Sequence, residues 1–396
     1  MTVNYPKEVI RVAEIFKKHG YSAYAVGGCI RDVIMGRIPD DWDMTTDCSP
    51  EDMLEIFDSA GIRTIPTGLK HGTVSILLGG EIYECTTFRI YGSYTDSRHP
   101  DSVTFTKDIS EDLRRRDFTV NAMAGNPLSG SIEIVDVFGG IKDIENKIIR
   151  AVGNPETRFT EDALRILRAI RFATVLNFSI EKNTLDAAVA LGSRLTEVSA
   201  ERKSVELEKI LLSPHADRGI SLLIETELFK YVHPHISAPR VPLSTLPPRF
   251  STRLAALFGE IPDLSQMKLS GEITKQAKML CDKELYSATV SRFDNPSATA
   301  RLMLAKYGNI AEDAALLNAD ASLSEKISEE RAKSPCISVK QLSINGNDLL
   351  GAGIEAKRLG EIINSLLLSV IEDPESNTKD VLMAKALKIA NGREDG

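Results

Sequence analysis

The sequence predicts an α+β module at the N-terminus followed by an elongated, wholly helical remainder. Three observations carry this expectation. Short runs rich in β-branched and aromatic residues, at 21–26, 73–78, 81–88 and 102–105, all lie in the first part of the chain. Helical stretches near 6–19 and 50–59 alternate with them, and Gly79-Gly80 between two of the runs is a hairpin signal. From about Ile141 onward strand patterns fade and helical periodicity takes over.

A chain of 396 residues, 42% hydrophobic and 26% charged, can bury a large core and is expected to divide into two or more domains. A proline-rich passage at 233–250 interrupts the helices and marks one boundary; a polar stretch near 320–335 is a second candidate. The tail is again helical, as over 358–371, and neither repeats nor low-complexity tracts occur. The opening residues lack the apolar core of a signal peptide and no apolar run approaches a membrane span, so a cytoplasmic location without a membrane partner is expected. Five scattered cysteines, odd in number and without CxxC pairing, argue for inert thiols rather than disulfides or a zinc site. A net charge of −8 disfavours a nucleic-acid partner unless the basic residues are clustered.

Two stretches describe chemistry on a nucleotide. GGCIRD, residues 27–32, places two glycines where a backbone can approach phosphate oxygens, ahead of a predicted helix at 29–35, with Arg31 available for a charge-assisted contact. Nine residues later comes Asp41-Trp42-Asp43. In an extended strand, residues two apart share a face, so Asp41 and Asp43 project together, about 7 Å apart at their bases. That spacing suits a pair of divalent ions ~3.5–4 Å apart. A solvated acidic turn after Pro39 is an equally weighted alternative for this stretch taken alone.

Positive charge concentrates downstream. RRRDFTVNAMA, residues 114–124, holds three arginines that cannot share one helical face, and an ordinary basic turn ahead of a buried segment is the plain alternative. RFTEDALRILRAIRF, residues 158–172, reads as one helix N-capped by Thr160, with Ile166, Leu167, Ile170 and Ala173 on the apolar arc and Asp162, Arg165, Arg168 and Arg171 on the other. A surface ion pair between Asp162 and Arg165 would account for two of these charges only. An aspartate beside an arginine can instead read a base: the carboxylate accepts from an exocyclic amine and the guanidinium donates to a ring acceptor, which admits C and A and refuses G and U. The six histidines lack metal-helix spacing, and neither a nucleophile elbow nor a Walker lysine is present.

With these residues assembled, the chain resembles the class II tRNA nucleotidyltransferases and bacterial poly(A) polymerases of the DNA polymerase beta-like nucleotidyltransferase superfamily. GGCIRD with DWDMTT resembles motif A, RRRDFTVNAMA motif B, residues 136–153 motif C, EDALR at 161–165 motif D, and residues 200–213 motif E. The match covers about residues 20–215, and residues 342–380 resemble the C-terminal helices of compact bacterial CCA-adding enzymes. The resemblance implies a seahorse-shaped molecule with a catalytic nucleotidyltransferase head at 1–140, a base-recognising neck at 141–215, a helical body at 216–270 and a tRNA-binding helical tail at 271–396. It assigns two Mg2+ ions to Asp41 and Asp43 as catalytic and metal-holding residues. Gly28 and Arg31 fall to the triphosphate, Arg116 and Asp117 near the sugar, Asp162 and Arg165 to the base, and Arg168 and Arg171 elsewhere on the nucleotide. A third metal carboxylate is not assigned.

The activity so implied is template-independent addition of C, C and A to tRNA from CTP and ATP, with release of diphosphate. Partial A-adding or CC-adding enzymes and a poly(A) polymerase are the alternatives, and a non-catalytic RNA-binding protein on the same fold is a more distant one. RIYGSYTDSRHP at 89–100 resembles the flexible loop associated with the switch from C to A, undeleted, with His99 where many relatives carry arginine; this favours full CCA addition.

Overall fold

A computed structural model describes residues 4–91, 103–129 and 133–392. Two compact units make up the chain, Met1–Pro234 and His235–Gly396, and the division falls at the start of the proline-rich passage. Most of the expected loop at 89–100, His99 included, lies outside the described residues.

The first unit opens with a seven-stranded mixed sheet. Its strands are β1 (Ala23–Val26), β2 (Met44–Thr46), β3 (Thr64–Gly68), β4 (Thr73–Leu78), β5 (Glu81–Thr87), then β8 (Ala124–Gly125) and β9 (Ile134–Val135) after a separate ribbon of β6 (Arg89–Tyr91) with β7 (Val103–Phe105). Spatial order is β3-β4-β5-β2-β1-β8-β9. Gly79 and Gly80, both at positive φ, close the β4–β5 hairpin as their lack of a side chain permits. β2 runs parallel to β5, in register Met44 to Cys85, and antiparallel to β1.

Helices α1 (Lys7–Lys18) and α3 (Pro50–Ser59) cover one face. α3 starts where Ser49 accepts from Asp52 N–H and Pro50 occupies the first turn. Phe16, Met53 and Phe57 meet Met44, Val74, Ile76 and Cys85 in the core beneath them. On the other face Leu113 of α4 (Ile109–Arg114) packs with Val26 and Ala124, while α2 (Gly28–Ile34) leaves directly from β1. Side chains alternate across the sheet, so Met44 and Cys85 point to the α1–α3 core and their neighbours Asp43, Thr45 and Glu84 belong to the α4 side.

The remainder of the unit is helical, with α5 (Gly140–Glu145), α6 (Pro155–Glu161), α7 (Leu164–Leu176), α8 (Lys182–Ala190), α9 (Ala200–Leu212) and α10 (Ala216–Glu225), except that β10 (Ile148–Ile149) pairs in parallel with β11 (Ser179–Ile180), against the expectation of a wholly helical remainder. α7 packs against α9 and α10. The single helix expected over 158–172 is in fact two. Asn154 caps α6 and Pro155 starts it, so helix begins before Thr160. Asp162 then turns extended, at φ −146° and ψ 104°, and its Oδ1 accepts from Leu164 N–H, restarting the chain as α7.

The second unit, helical among its described residues, is not interrupted at 320–335. Ala321–Ala332 is a helix packed on Pro296–Tyr307 and Ala311–Leu317, where buried Arg301 meets Glu330 at 2.9 Å. The helix expected over 358–371 is Leu359–Glu372. None of the described helices is long and apolar enough to cross a membrane.

Phe57 is fully buried against Phe16, edge to face, at 5.2 Å between ring centres. Phe57→Ala is therefore expected to lower unfolding free energy by about 3–5 kcal/mol through lost burial and a cavity, read as a reduced urea midpoint. A loss below 1 kcal/mol would show that the α1–α3 face does not carry the head's stability.

Candidate active site

The acidic pair sits at the entrance to β2 rather than within it. Asp43 carbonyl accepts from Val26 N–H at 2.9 Å, which extends the β1–β2 ladder by one pair, but the three-residue strand proper begins at Met44. Trp42 faces inward between the two acids, 5.5 Å from Tyr5 and packed on the core, and so holds the intervening backbone. The carboxylates of Asp41 and Asp43 are exposed and accept no hydrogen bond or ion pair among the described residues.

The parallel β2–β5 register brings exposed Glu84 level with Asp43 on the same face. Although Asp43 keeps an open rim, the surrounding protein strips water from its carboxylate and, with the like charges of Asp41 and Glu84, pushes it up to about 6. Arg116 acts in the opposite direction. Three acids crowded without counter-ions are the donor chemistry a hard divalent cation requires. Among the described residues no three His, Cys, Asp or Glu side chains stand close enough together to hold a metal ion as they are arranged here.

Gly27 lies at φ +84°, where L side chains are strained, and a Cβ there would stand 3.1 Å from Arg116 Nη1. The glycine thus lets the arginine close on the β1–α2 turn. Gly28 follows as the first residue of α2. Arg31, one turn on, is clamped by Asp32 through Nε and Nη2 and donates Nη1–H to Asn121 Oδ1 at 2.7 Å.

Arg116 itself is held by Asp112, a fully buried carboxylate on α4. Asp112 also accepts from Arg115, from Arg89 N–H and, at 3.4 Å, from the Thr45 hydroxyl two residues beyond Asp43. Burial alone would raise its carboxyl; Arg115 and Arg116 together with these hydrogen bonds override that and hold it below the usual range.

The arginines of α7 do not face water as a row. Each takes a carboxylate from a different element: Arg165 from Glu161 at 2.7 Å, Arg168 from Asp117 at 2.6 Å, Arg171 from Glu206 of α9 at 2.5 Å. Phe172 lies beneath Arg31, Arg168 and Arg171, with guanidinium carbons 5.7, 5.2 and 3.8 Å from its ring centre. Asp117 is buried, accepting from Phe118 N–H as well as Arg168. Its burial would raise the carboxyl, but Arg168 and Arg165 with those hydrogen bonds bring it below the usual range.

Asp162 and Arg165, expected to read a base together, do not form the surface ion pair that was the plain alternative for them. Asp162 Oδ2 accepts from Arg202 of α9 at 2.7 Å, and Arg165 is buried, with its donors on Glu161 and on the carbonyls of Arg158 and Arg115. Sequence reasoning missed Glu84, Asp112, Glu161, Arg202 and Glu206. Asp112 with Arg115 and Arg116, and Glu161 with Arg165, stand three and four residues apart and were readable as helical pairs. Arg202 and Glu206 lie in the stretch that resembles motif E, but nothing in the sequence said which charges they would meet. Cys29, buried under Asp43, donates to the Val26 carbonyl, and burial pushes its thiol up to about 12, which leaves it inert.

Two spaced aspartates at the entrance to a central strand, beside a glycine turn and a cluster of arginines, define a nucleotidyltransferase head, and residues 23–150 match the poly A polymerase head domain model. Residues 177–238 match the model described as a probable RNA and SrmB-binding site of polymerase A. The CCA-adding enzyme of Enterococcus faecalis is 34% identical over 96% of this chain and 96% of its own. That of Anoxybacillus flavithermus is 44% identical over a shorter alignment, 57% of this chain and 55% of its own. The crystal structure of the Bacillus stearothermophilus CCA-adding enzyme in complex with CTP matches with a TM-score of 0.82 and 32% identity, covering 99% of both chains. The chain belongs to the CCA-adding enzyme family of tRNA nucleotidyltransferases.

Because the Asp117 carboxyl is held below the usual range, its contribution to stability is full above about pH 4 and is lost as pH falls through its folded value. Asp117→Asn is accordingly expected to be less stable than the parent at pH 7, with the gap in urea midpoint narrowing below about pH 4. A gap that stays constant from pH 7 to pH 3 would remove the Arg168 pairing as its source.

Proposed function

We propose that the protein extends tRNA by C, C and A using CTP and ATP, the 3′-hydroxyl attacking the α-phosphate of each nucleotide with loss of diphosphate. The observation that carries this reading is that one compact unit holds both the unpaired acidic edge of Asp41 and Asp43 and the acid–guanidinium cluster of α6, α7 and α9. Full-length similarity to enzymes named for CCA addition, one of them bound to CTP, favours this outcome over partial addition or poly(A) synthesis.

In this reading Asp41 and Asp43 hold two Mg2+ ions, with Glu84 as the third carboxylate, which the β2–β5 register supports. Ions held by these carboxylates would supply a lowered pKa for the attacking hydroxyl and compensation of charge on the transferred group. Gly28 admits the triphosphate to the β1–α2 turn, Arg31 contacts it, and Arg116 meets the sugar from its seat on Asp112. Asp117 acts through Arg168, its ion-pair partner, and Arg171 completes the cationic wall.

Asp162 and Arg165 supply the pairing edge in place of a nucleic-acid template. An acceptor-only carboxylate attracts the exocyclic amine of C or A and repels the carbonyl of G or U, and mismatched polar groups in a half-buried site are strongly disfavoured. Residues 1–140 serve as catalytic head, 141–215 as base-reading neck, and 216–270 and 271–396 as body and tail on the tRNA. A cytoplasmic site of action fits a tRNA substrate.

The test is a primer series: tRNA transcripts ending at the discriminator base, at C and at CC, with Mg2+ and each nucleotide in turn. Extension to CCA followed by a halt is expected; a long A tract would favour the poly(A) alternative. Asp41→Ala and Asp43→Ala should each abolish transfer on all three primers, and retained activity would remove the metal assignment. Omission of divalent metal should stop the reaction without unfolding the chain, checked by circular dichroism. Asp162→Ala should admit UTP and GTP, and undiminished refusal of both would count against its templating role.

A further inference from the structure

We infer that Arg202 of α9 is a specificity-determining positioning residue, fixing the Asp162 carboxylate in the orientation that selects an amine-bearing base. The inference rests on the reading of Asp162 as the base-templating acid. Asp162 lies in the two-residue break between α6 and α7, the least regular backbone in this part of the unit. A carboxylate there, at the end of a short side chain on an extended residue, has no helix neighbours to set its rotamer. Two contacts set it instead. Oδ1 accepts from Leu164 N–H at 3.0 Å, and Oδ2 accepts from Arg202 Nη2 at 2.7 Å.

With one oxygen on each anchor, the plane of the carboxylate is fixed, and each oxygen retains a lone pair for a ligand. Arg202 reaches the break from forty positions along the chain, across the α7–α9 packing interface. The pair remains partly open to solvent, with side chains 25% and 19% exposed, so a base can approach the carboxylate without first breaking into a core. Arg165 cannot perform this anchoring. It is buried, and its guanidinium is already committed to Glu161 and to two main-chain carbonyls. Among the described residues Arg202 makes no other hydrogen bond, which leaves holding Asp162 as the one polar contact of its guanidinium.

Freed from Arg202, the carboxylate can swing about its side-chain torsions. It then attracts the amine of cytosine less and repels the carbonyl of uracil less. Selectivity falls from both sides, whereas a purely structural brace would change stability and leave the CTP to UTP ratio alone. Lys203, next on α9, provides the comparison: it donates to the Tyr231 carbonyl at 2.8 Å and touches none of the base-reading groups.

The experiment measures kcat/KM for CTP and for UTP, and KM for a tRNA ending at the discriminator base, in the full-length protein and in Arg202→Ala, Arg202→Lys, Asp162→Ala and Lys203→Ala. Arg202→Ala is expected to lower the CTP to UTP ratio about tenfold or more, the scale of a lost oriented polar contact, with KM for tRNA within about twofold of the parent. Arg202→Lys should restore part of the ratio by holding Oδ2 with a point charge, and Lys203→Ala should leave it unchanged. Should Arg202→Ala fail to fold, Arg202→Gln carries the same expectation with a neutral donor. An unchanged ratio in the folded Arg202 variant, alongside a collapsed ratio in Asp162→Ala, overturns this inference and leaves the templating reading standing. An unchanged ratio in Asp162→Ala overturns the templating reading itself.

Discussion

Everything that positions the candidate site depends on pairing arginines with carboxylates drawn from other elements. Arg116, Arg165, Arg168, Arg171 and Arg202 are held by Asp112, Glu161, Asp117, Glu206 and Asp162 respectively. Such pairs, partly or fully withdrawn from water, add little net stability, because desolvating each ion offsets most of the attraction. What they add is direction. A guanidinium fixed by a carboxylate presents its remaining donors along set lines. Because the partners come from α4, α6, the segment after α4, and α9, these pairs also tie the sheet-bearing head to the helices behind it within one compact unit.

The acidic side of the site follows a different logic. Asp41 and Asp43 form no ion pair among the described residues, and burial, with the like charges of Asp41 and Glu84, raises Asp43 against the opposing pull of Arg116. An arrangement that is unfavourable by itself at neutral pH is held in place by the sheet and by Trp42, which packs on the core. The molecule thus separates its two electrostatic tasks. The five arginines are each ion-paired within the protein, whereas Asp41 and Asp43 form no ion pair among the described residues.

The legibility of this architecture in the sequence was uneven, for identifiable reasons. β4 and β5 stood out because each is long, β-branched and separated by two glycines. β2, of three residues, and β8 and β9, of two each, are too short for any periodic signal and exist because neighbouring strands offer ladder partners. The helix expected across 158–172 failed at Asp162, where a side chain able to cap a new helix outweighed an apolar pattern that continued without a break. The polar 320–335 stretch reads as a linker by composition, yet Leu323 and Ile327 are enough to seat it on its neighbours as a helix.

By itself the sequence determined the local chemistry: glycines at the first turn, an acid pair spaced two apart and arginines in steps of three. These depend on bonds and torsions that span a few residues. Only the tertiary structure decided which charge meets which across long separations, setting Glu84 beside Asp43 through strand register and handing Asp162 to Arg202 rather than to Arg165. The physical reason is range. Backbone periodicity places a side chain on a face, but its partner is chosen by which element packs there, and that choice is made by the burial of apolar surface elsewhere in the fold.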